Sequence, residues 1–240
     1  MTTYFISDLH LNPAEPATTD AFLAFLAGPA RDADALWILG DLFEYWAGDD
    51  DLGGAFNARI AEALHELTSS GVTTKLIVGN RDFLLGDDFA QRTGVEIVGE
   101  PMRIVLGDKH CVLLHGDVLC TDDVAYQQFR QMVRNPAWQA QFLAQPLAVR
   151  HKIAEELRAK SEMSKQDKAL EIMDVNAEAV EDSFRRTGAS LMIHGHTHRP
   201  ATHELNVDGV ACVRHVLPDW HGHACGLRWD GRQLQRFGSN

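Results

Sequence analysis

Five short apolar runs punctuate this chain, and each ends abruptly in a residue able to bind a metal ion. Tyr4-Phe5-Ile6 leads into Ser7-Asp8-Leu9-His10, Leu36-Trp37-Ile38-Leu39 into Gly40-Asp41, and Leu76-Ile77-Val78 into Gly79-Asn80. Val112-Leu113-Leu114 leads into His115-Gly116-Asp117, and Leu191-Met192-Ile193 into His194-Gly195-His196-Thr197-His198. Runs of this length bounded by glycine and turn formers predict buried strands. Strands of one sheet that deliver Asp, Asn or His at the same end would gather those side chains into one cluster. Carboxylate, amide and imidazole groups concentrated in this way, with little basic charge nearby, need cations to hold them together. Two divalent metals are the economical reading.

Between the runs, Asp20 to Ala27 and Phe56 to Leu67 carry apolar residues at helical spacing. Strands and helices therefore alternate to about residue 120, an order that predicts a mostly parallel sheet. From Asp122 to about Arg186 the pattern holds no strand, only helical segments broken at Asn135-Pro136 and Gln145-Pro146. Because this stretch, 122–186, separates two candidate ligand blocks, it must leave the domain and return. It is expected to form a helical insertion, a lid over or beside the site, within a single domain spanning residues 1–240. Beyond Pro200, Val210–Val213 and Cys225–Trp229 are expected to complete a second sheet.

Composition narrows the picture. A length of 240 residues suits one α/β domain with ample core. A formal net charge of −12 argues against a protein that grips nucleic acid through its phosphates, and bound cations would offset part of it. No apolar stretch approaches bilayer length, and Met1-Thr2-Thr3 runs straight into the first strand, so neither a spanning helix nor a signal peptide is expected. Cys111, Cys120, Cys212 and Cys225 contain no C-x-x-C pair, and reduced cysteines in a cytoplasmic protein are expected.

The blocks D-x-H (Asp8, His10), G-D-x-x-E (Gly40, Asp41, Glu44), G-N-x-D (Gly79, Asn80, Asp82), H-G-D (His115, Gly116, Asp117) and G-H-x-H (Gly195, His196, His198) together resemble the calcineurin-like metallophosphoesterases. One such block is weak evidence; five in order, each after a predicted strand, are strong. The resemblance implies an α/β sandwich of two mixed β-sheets flanked by helices, with a helical insertion over a dimetal site. Asp8 and His10, two apart in a turn, can reach one metal, and His198 would return to it. Asp41 is best placed to bridge, because one carboxylate can give an oxygen to each of two cations. Asn80, His115 and His196 would complete the second metal. Oxygen and nitrogen donors without thiolate suit Mn²⁺, Fe²⁺ or Zn²⁺ better than Ca²⁺, and the resemblance favours Mn²⁺. Glu44, Asp82 and Asp117 are expected to orient ligands by hydrogen bonding. His65, His110, His151, His194, His203, His221 and His223 are read as structural or loop residues. Asp49-Asp50-Asp51 is read as a solvated acidic loop, with a supporting role left open by its nearness to Asp41.

Where many relatives have G-N-H-D, this chain has Gly79-Asn80-Arg81-Asp82. A guanidinium, with a pKa above about 12, cannot donate a proton at neutral pH. It can stabilise developing negative charge with a bidentate fork. The exchange suits a leaving group already stable as an anion, such as a phosphate expelled from a pyrophosphate. The rival reading is that His10 or a metal-activated water donates the proton.

Gly40-Asp41-Leu42-Phe43-Glu44, Gly79-Asn80-Arg81-Asp82-Phe83, Leu114-His115-Gly116-Asp117, Leu119-Cys120-Thr121-Asp122-Asp123, Tyr126 and Phe129-Arg130 are similar to the UDP-2,3-diacylglucosamine hydrolases of the lipid A pathway. That family resemblance implies attack of water on the α phosphorus, giving UMP and 2,3-diacylglucosamine 1-phosphate (lipid X). It also implies substrate contacts at Asn80, Arg81, Asp123, Tyr126, Ser161, Lys165, Lys168 and His196. It further implies a monomer held peripherally at the cytoplasmic face of the bacterial inner membrane, with no nucleic-acid partner. Phe129, Met132, Val133, Trp138, Phe142, Leu143, Leu147 and Ile153 are many large apolar groups for segments with little sheet to cover. Helices packed on one another account for about half of them at ordinary amphipathic spacing, and the rest could line a groove for two acyl chains. The rivals are a hydrolase of the same fold acting on a soluble substrate, and a non-catalytic scaffold, which would be expected to lose ligands.

Overall fold

The computed structural model describes residues 1–167 and 174–238, with side chains described through residue 159 and from 174. The first half runs β1 (Thr3–Ile6), α1 (Pro16–Ala27), β2 (Ala35–Leu39), α2 (Ala55–Ser69), β3 (Thr73–Ile77), α3 (Asp87–Thr93), β4 (Glu96–Val98), β5 (Met102–Leu106) and β6 (Lys109–Leu113). Helices α4 (Val124–Val133), α5 (Pro136–Leu143), α6 (Leu147–Asp167) and α7 (Ala177–Thr187) follow, then β7 (Leu191–His194), β8 (Ala201–Val207), β9 (Val210–Val216), β10 (Gly226–Trp229) and β11 (Leu234–Phe237).

These strands form two mixed sheets, of order β11-β10-β1-β2-β3-β4 and β5-β6-β7-β9-β8. Strands β1 to β4 run parallel, as do β6, β7 and β9, while β10 and β11 in the first sheet and β5 and β8 in the second are paired antiparallel. The apolar runs are continuous because both faces of the central strands are covered. Tyr4, Ile6, Leu36, Ile38 and Leu76 face Phe22, Phe25 and Leu26 of α1 and Ile60 and Leu64 of α2. The alternate residues Phe5, Trp37, Leu39 and Ile77 meet Cys111, Leu113, Leu191 and Ile193 of the second sheet. Beyond that sheet, Val112 and Met192 pack against Val180 and Phe184 of α7. The result is helix, sheet, sheet, helix in layers.

The structure differs from the sequence reading in five respects. The five ligand-bearing runs belong to two sheets: β1, β2 and β3 to the first, β6 and β7 to the second. Cys225–Trp229 yields β10, which pairs antiparallel with β1 in the first sheet and not in the second. An alternating pattern tells that a strand has a buried face but does not name its partner. Helix α1 starts at Pro16, because proline is accommodated in the first turn of a helix. Edge strands β4, β5, β8 and β11 escaped the apolar count because exposed residues interrupt them. Asp49-Asp50-Asp51 is a short 3₁₀ turn bound into the fold. Asp49 accepts from Trp46 Nε1 and the backbone N–H groups of Gly86 and Phe89, and Asp50 and Asp51 pair with Arg150 and His151.

Between β6 and β7 the described residues form helices and no strand. Asn135-Pro136 is a helix start, with the Asn135 side chain accepting from Ala137 N and Trp138 N. All four cysteines are free and buried.

Candidate metal centre

Each ligand candidate stands just past the carboxyl end of a parallel strand, where open α/β sheets bind ligands. Asp8 follows β1, Asp41 β2, Asn80 β3, His115 β6 and His196 β7. The chain turns sharply at these points. Among the described residues, Asp8 (φ 54°), His10 (φ 49°), Asp41 (φ 53°), His196 (φ 68°) and His198 (φ 53°) all lie in the left-handed region, joined only by Asp208 among non-glycine residues. Such conformations cost of order 1–3 kcal/mol each and persist where surrounding structure holds them. Backbone N–H groups of Leu9 and His10 donate to the Asp41 carbonyl at 2.9 and 3.0 Å, tying the first two turns together. Asp82 holds the next pair, its carboxylate accepting from Gly79 N and Leu42 N, both at 2.7 Å.

The seven ligand candidates converge. Asp8 Oδ1 lies 3.4 Å from His198 Nε2, which lies 3.2 Å from His10 Nε2. Asp41 spans the cluster, with Oδ2 4.0 Å from His10 Nε2 and Oδ1 3.7 Å from His115 Nε2. His115 Nε2 is 3.0 Å from Asn80 Oδ1, and the His115 and His196 rings are 5.0 Å apart. Two groups could each surround a cation: Asp8, His10 and His198, and Asp8, Asp41 and His115. The position of Asp41 between two imidazoles suits a bridging carboxylate, and Asp8 is shared by both groups.

The donor set fits divalent cations on its own chemistry. His115 Nδ1 faces the Leu39 carbonyl at 2.8 Å and so carries a proton. In the neutral ring this leaves an Nε2 lone pair aimed at the Asn80 side chain. His198 Nδ1 lies 3.1 Å from Asp219 Oδ2, which turns its Nε2 toward Asp8 and His10 in the same way. Asp8 Oδ1 and His10 Nδ1 are buried without a hydrogen-bond partner. Burial lowers the pKa of His10 to about 4 and of His196 to about 3, leaving both neutral and able to ligate. His115 and His198 go the other way. Burial opposes their charge, but Asp41 and Asp117 raise His115 to about 9, and Asp219 and Asp8 raise His198 to about 10. A divalent cation would compete with those protons for the same lone pairs.

Around the cluster, Glu44 Oε2 stands 3.6 Å from His10 Nδ1. Asp117 Oδ2 accepts from the Tyr126 hydroxyl at 2.7 Å and from Arg130 Nε at 2.8 Å. Of the three carboxylates expected to orient ligands, Asp82 binds the turns carrying Asp41 and Asn80 and Glu44 faces His10, whereas Asp117 binds side chains of α4. Arg81 donates its backbone N–H to Asp41 Oδ1 at 2.8 Å and places Nη1 3.4 Å from Glu44. Tyr126 has its ring 5.9 Å from that of His196, and Asp123 caps α4 by accepting from Tyr126 N. Lys168 and the side chains of Ser161 and Lys165 lie outside the described residues. His194 is fully buried, bonded to the Gly195 carbonyl and Arg214.

Sequence reasoning missed several supports. Asp219 orients His198 and also binds His221. Glu100 accepts from His115 N and pairs with Arg130, while Arg134 donates to the carbonyls of Val78 and Gly79. Arg158 reaches Glu44. No spacing signal marks these residues, because each acts across a large sequence separation.

The fold and this cluster define a metallophosphoesterase, and a family model for calcineurin-like phosphoesterases matches residues 1–200. The UDP-2,3-diacylglucosamine hydrolase of Aromatoleum aromaticum is 54% identical over 231 residues, covering 96% of this chain and 94% of that protein. The proteins of the same name from Stenotrophomonas maltophilia R551-3 and Xanthomonas oryzae pv. oryzae PXO99A are 52% and 48% identical, covering 96% and 99% of this chain and 95% and 99% of their own lengths. The chain belongs to the UDP-2,3-diacylglucosamine hydrolase family within the calcineurin-like phosphoesterases.

Proposed function

We propose that this chain hydrolyses the pyrophosphate bond of UDP-2,3-diacylglucosamine, with water attacking the α phosphorus to give UMP and 2,3-diacylglucosamine 1-phosphate in lipid A biosynthesis. One observation carries the reading: likeness to hydrolases of that name along nearly the whole chain, with every ligand candidate gathered in one cluster. Asp8, His10, Asp41 and His198 would hold one divalent ion, and Asp41, Asn80, His115 and His196 the other, with Mn²⁺ favoured. When bound, the pair supplies a nucleophile near neutral pH and Lewis-acid polarisation of the phosphoryl oxygens.

The protein's own groups do the rest. Arg81 offers a planar fork to charge developing on the phosphates and needs to give up no proton, because 2,3-diacylglucosamine 1-phosphate leaves as an anion. His10 faces Glu44 at 3.6 Å, and proton donation from His10 is the alternative to charge stabilisation by Arg81 alone. Asn80, Asp123, Tyr126, Ser161, Lys165, Lys168 and His196 complete the proposed substrate contacts. The segment 122–186 acts as the lid, with α7 returning the chain to the second sheet.

Trp138 and Phe142 stack at 5.1 Å and, with Ile153, pack against the first core, so part of the apolar surplus is ordinary packing. Val124, Met132, Leu143, Val149 and Leu157 on α4 to α6 are exposed, which supports acyl-chain or bilayer contact. No helix among the described residues is long and apolar enough to cross a membrane. We place the protein as a monomer, peripheral at the cytoplasmic face of the inner membrane.

The test compares detergent-dispersed UDP-2,3-diacylglucosamine, short-chain and deacylated analogues, and a generic chromogenic phosphodiester. Each buried CH₂ contributes roughly 0.8 kcal/mol, so shortening the chains by a few carbons lowers kcat/KM many-fold. Equal rates on all four would reassign the protein to soluble diester or pyrophosphate chemistry.

A further inference from the structure

Glu44 is 6% exposed and is met from three directions. His10 Nδ1 lies 3.6 Å from Oε2, while Arg81 Nη1 and Arg158 Nε lie 3.4 and 2.5 Å from Oε1. His10 is a ligand candidate, Arg81 belongs to the Gly79-Asn80-Arg81-Asp82 turn, and Arg158 comes from α6. That helix is seated near its start by Arg150, 2% exposed, whose guanidinium binds the Asp50 carboxylate and the Ala47 carbonyl just beyond the Asp41 turn. Arg158 stands eight positions on, about 12 Å along the helix at 1.5 Å per residue. The acidic run at Asp49-Asp50-Asp51 thus anchors the helix that delivers a cation to Glu44.

One carboxylate here faces two guanidiniums, so the group of three keeps a net positive charge. Without Arg158, Glu44 would turn its full charge on Arg81 and His10. The Arg81 fork would be drawn toward Glu44 and lose orientation toward an anionic ligand. The contact is an ion pair whose carboxylate is sheltered from water while the Arg158 side chain is 44% exposed, so its effect is carried by the buried Glu44 charge. We infer that Arg158 is a positioning residue: by neutralising Glu44 it leaves the Arg81 guanidinium directed at the phosphoryl oxygens, coupling α6 to the phosphate site. The inference rests on the proposed function for the identity of the diphosphate, whereas its electrostatic core requires only a phosphate bound at the site.

The test is a cycle in the metal-loaded full chain with Arg158→Ala, Glu44→Gln and the double variant, plus Arg158→Lys. Arg158→Ala lowers kcat/KM on UDP-2,3-diacylglucosamine by about tenfold or more without loss of bound metal, the scale of one hydrogen bond to a charged group. Arg158→Lys recovers part of the loss, because an ammonium also neutralises Glu44. Glu44→Gln is milder, since it removes the pull on Arg81 together with the charge that Arg158 balances, and the double variant is more active than Arg158→Ala alone. That rescue separates positioning from mere seating of α6, which would leave the double variant at least as impaired. Wild-type rates in Arg158→Ala, or a double variant no better than Arg158→Ala, would overturn the inference.

Dissociation constants for inorganic phosphate, measured on the same proteins, repeat the cycle without the lipid substrate. Rescue in phosphate binding with no turnover of the UDP-sugar would uphold the coupling and reject the functional reading. Absence of rescue in phosphate binding would reject the coupling whatever the substrate.

Discussion

Gly195→Ala is a one-carbon perturbation whose consequences follow from the packing around that position. A Cβ at that position would lie 2.2 Å from Asp8 Oδ2, 2.2 Å from Ser7 Oγ and 2.7 Å from Ser7 Cβ. Ordinary contact begins near 3.4 Å, so the Asp8 carboxylate or the Gly195 backbone must retreat by about 1.2 Å. Neither has slack. Asp8 is fully buried and its Oδ2 is held by His196 N at 2.9 Å and Ser7 Oγ at 2.6 Å. Hydrogen bonds to a charged group contribute about 1.5–3 kcal/mol, and forced overpacking costs typically 1–3 kcal/mol, so stability falls by a few kcal/mol. The larger effect is on the site, where a 1 Å misplacement can cost on the order of 10²-fold in rate. Gly53→Ala is the matched control, because no atom lies within 4 Å of its Cβ. Turnover, metal content by atomic emission and thermal melting would be measured for both. A Gly195→Ala protein that binds two metals and keeps more than half its rate would refute the argument.

Removal of metal by a chelator abolishes turnover, Mn²⁺ restores it best, and Asp41→Ala leaves almost none; substantial residual rate in that variant would sink the bridging assignment. Arg81→Ala costs about 2.7–4 kcal/mol of transition-state stabilisation, Arg81→Lys is also impaired, and Arg81→His does not rescue the native reaction; unchanged kcat in Arg81→Ala would show the leaving-group argument to be wrong. His198 carries a proton in the metal-free protein because Asp219 and Asp8, against burial, raise its pKa from 6.5 to about 10. Its contribution to metal-free stability is complete below pH 6.5 and is lost as pH rises through about 10, whereas apparent metal affinity rises over the same range. Calorimetric metal titrations at several pH values check this sign, and Asp219→Asn flattens the dependence.

The five candidate ligand blocks were legible because ligation demands particular residue types at the ends of strands, and strands announce themselves as apolar runs. The assignment of those strands to two sheets was not. Phe5 and Leu113 read alike in sequence, yet one lies in the first sheet and the other faces it across the shared core. The acidic run at Asp49 looked like a solvated loop because its main partners lie 37 to 100 residues away, at Gly86, Phe89, Arg150 and His151. Asp219 sat in an Asp-Trp-His-Gly-His stretch whose histidines drew the attention, while the carboxylate does the orienting. Local chemistry is written locally, but the supports of a buried site are selected by packing.

The metal centre is also where the two sheets are joined. Asp8, from the first sheet, takes a hydrogen bond from the backbone of His196 in the second, and Trp220 N returns to the Asp8 carbonyl at 3.1 Å. His115, from the second sheet, donates through its ring to the Leu39 carbonyl of the first. The close approach of Gly195 to Asp8 leaves no room for a side chain between them. Ligands borne by both sheets can assume this spacing only after the inter-sheet core of Phe5, Leu39, Leu113 and Ile193 has closed. A bound cation would therefore contribute twice, neutralising crowded carboxylates and adding a link between two layers that meet mainly through apolar contact. Because the ligands divide between the sheets, loosening that core would disperse the site.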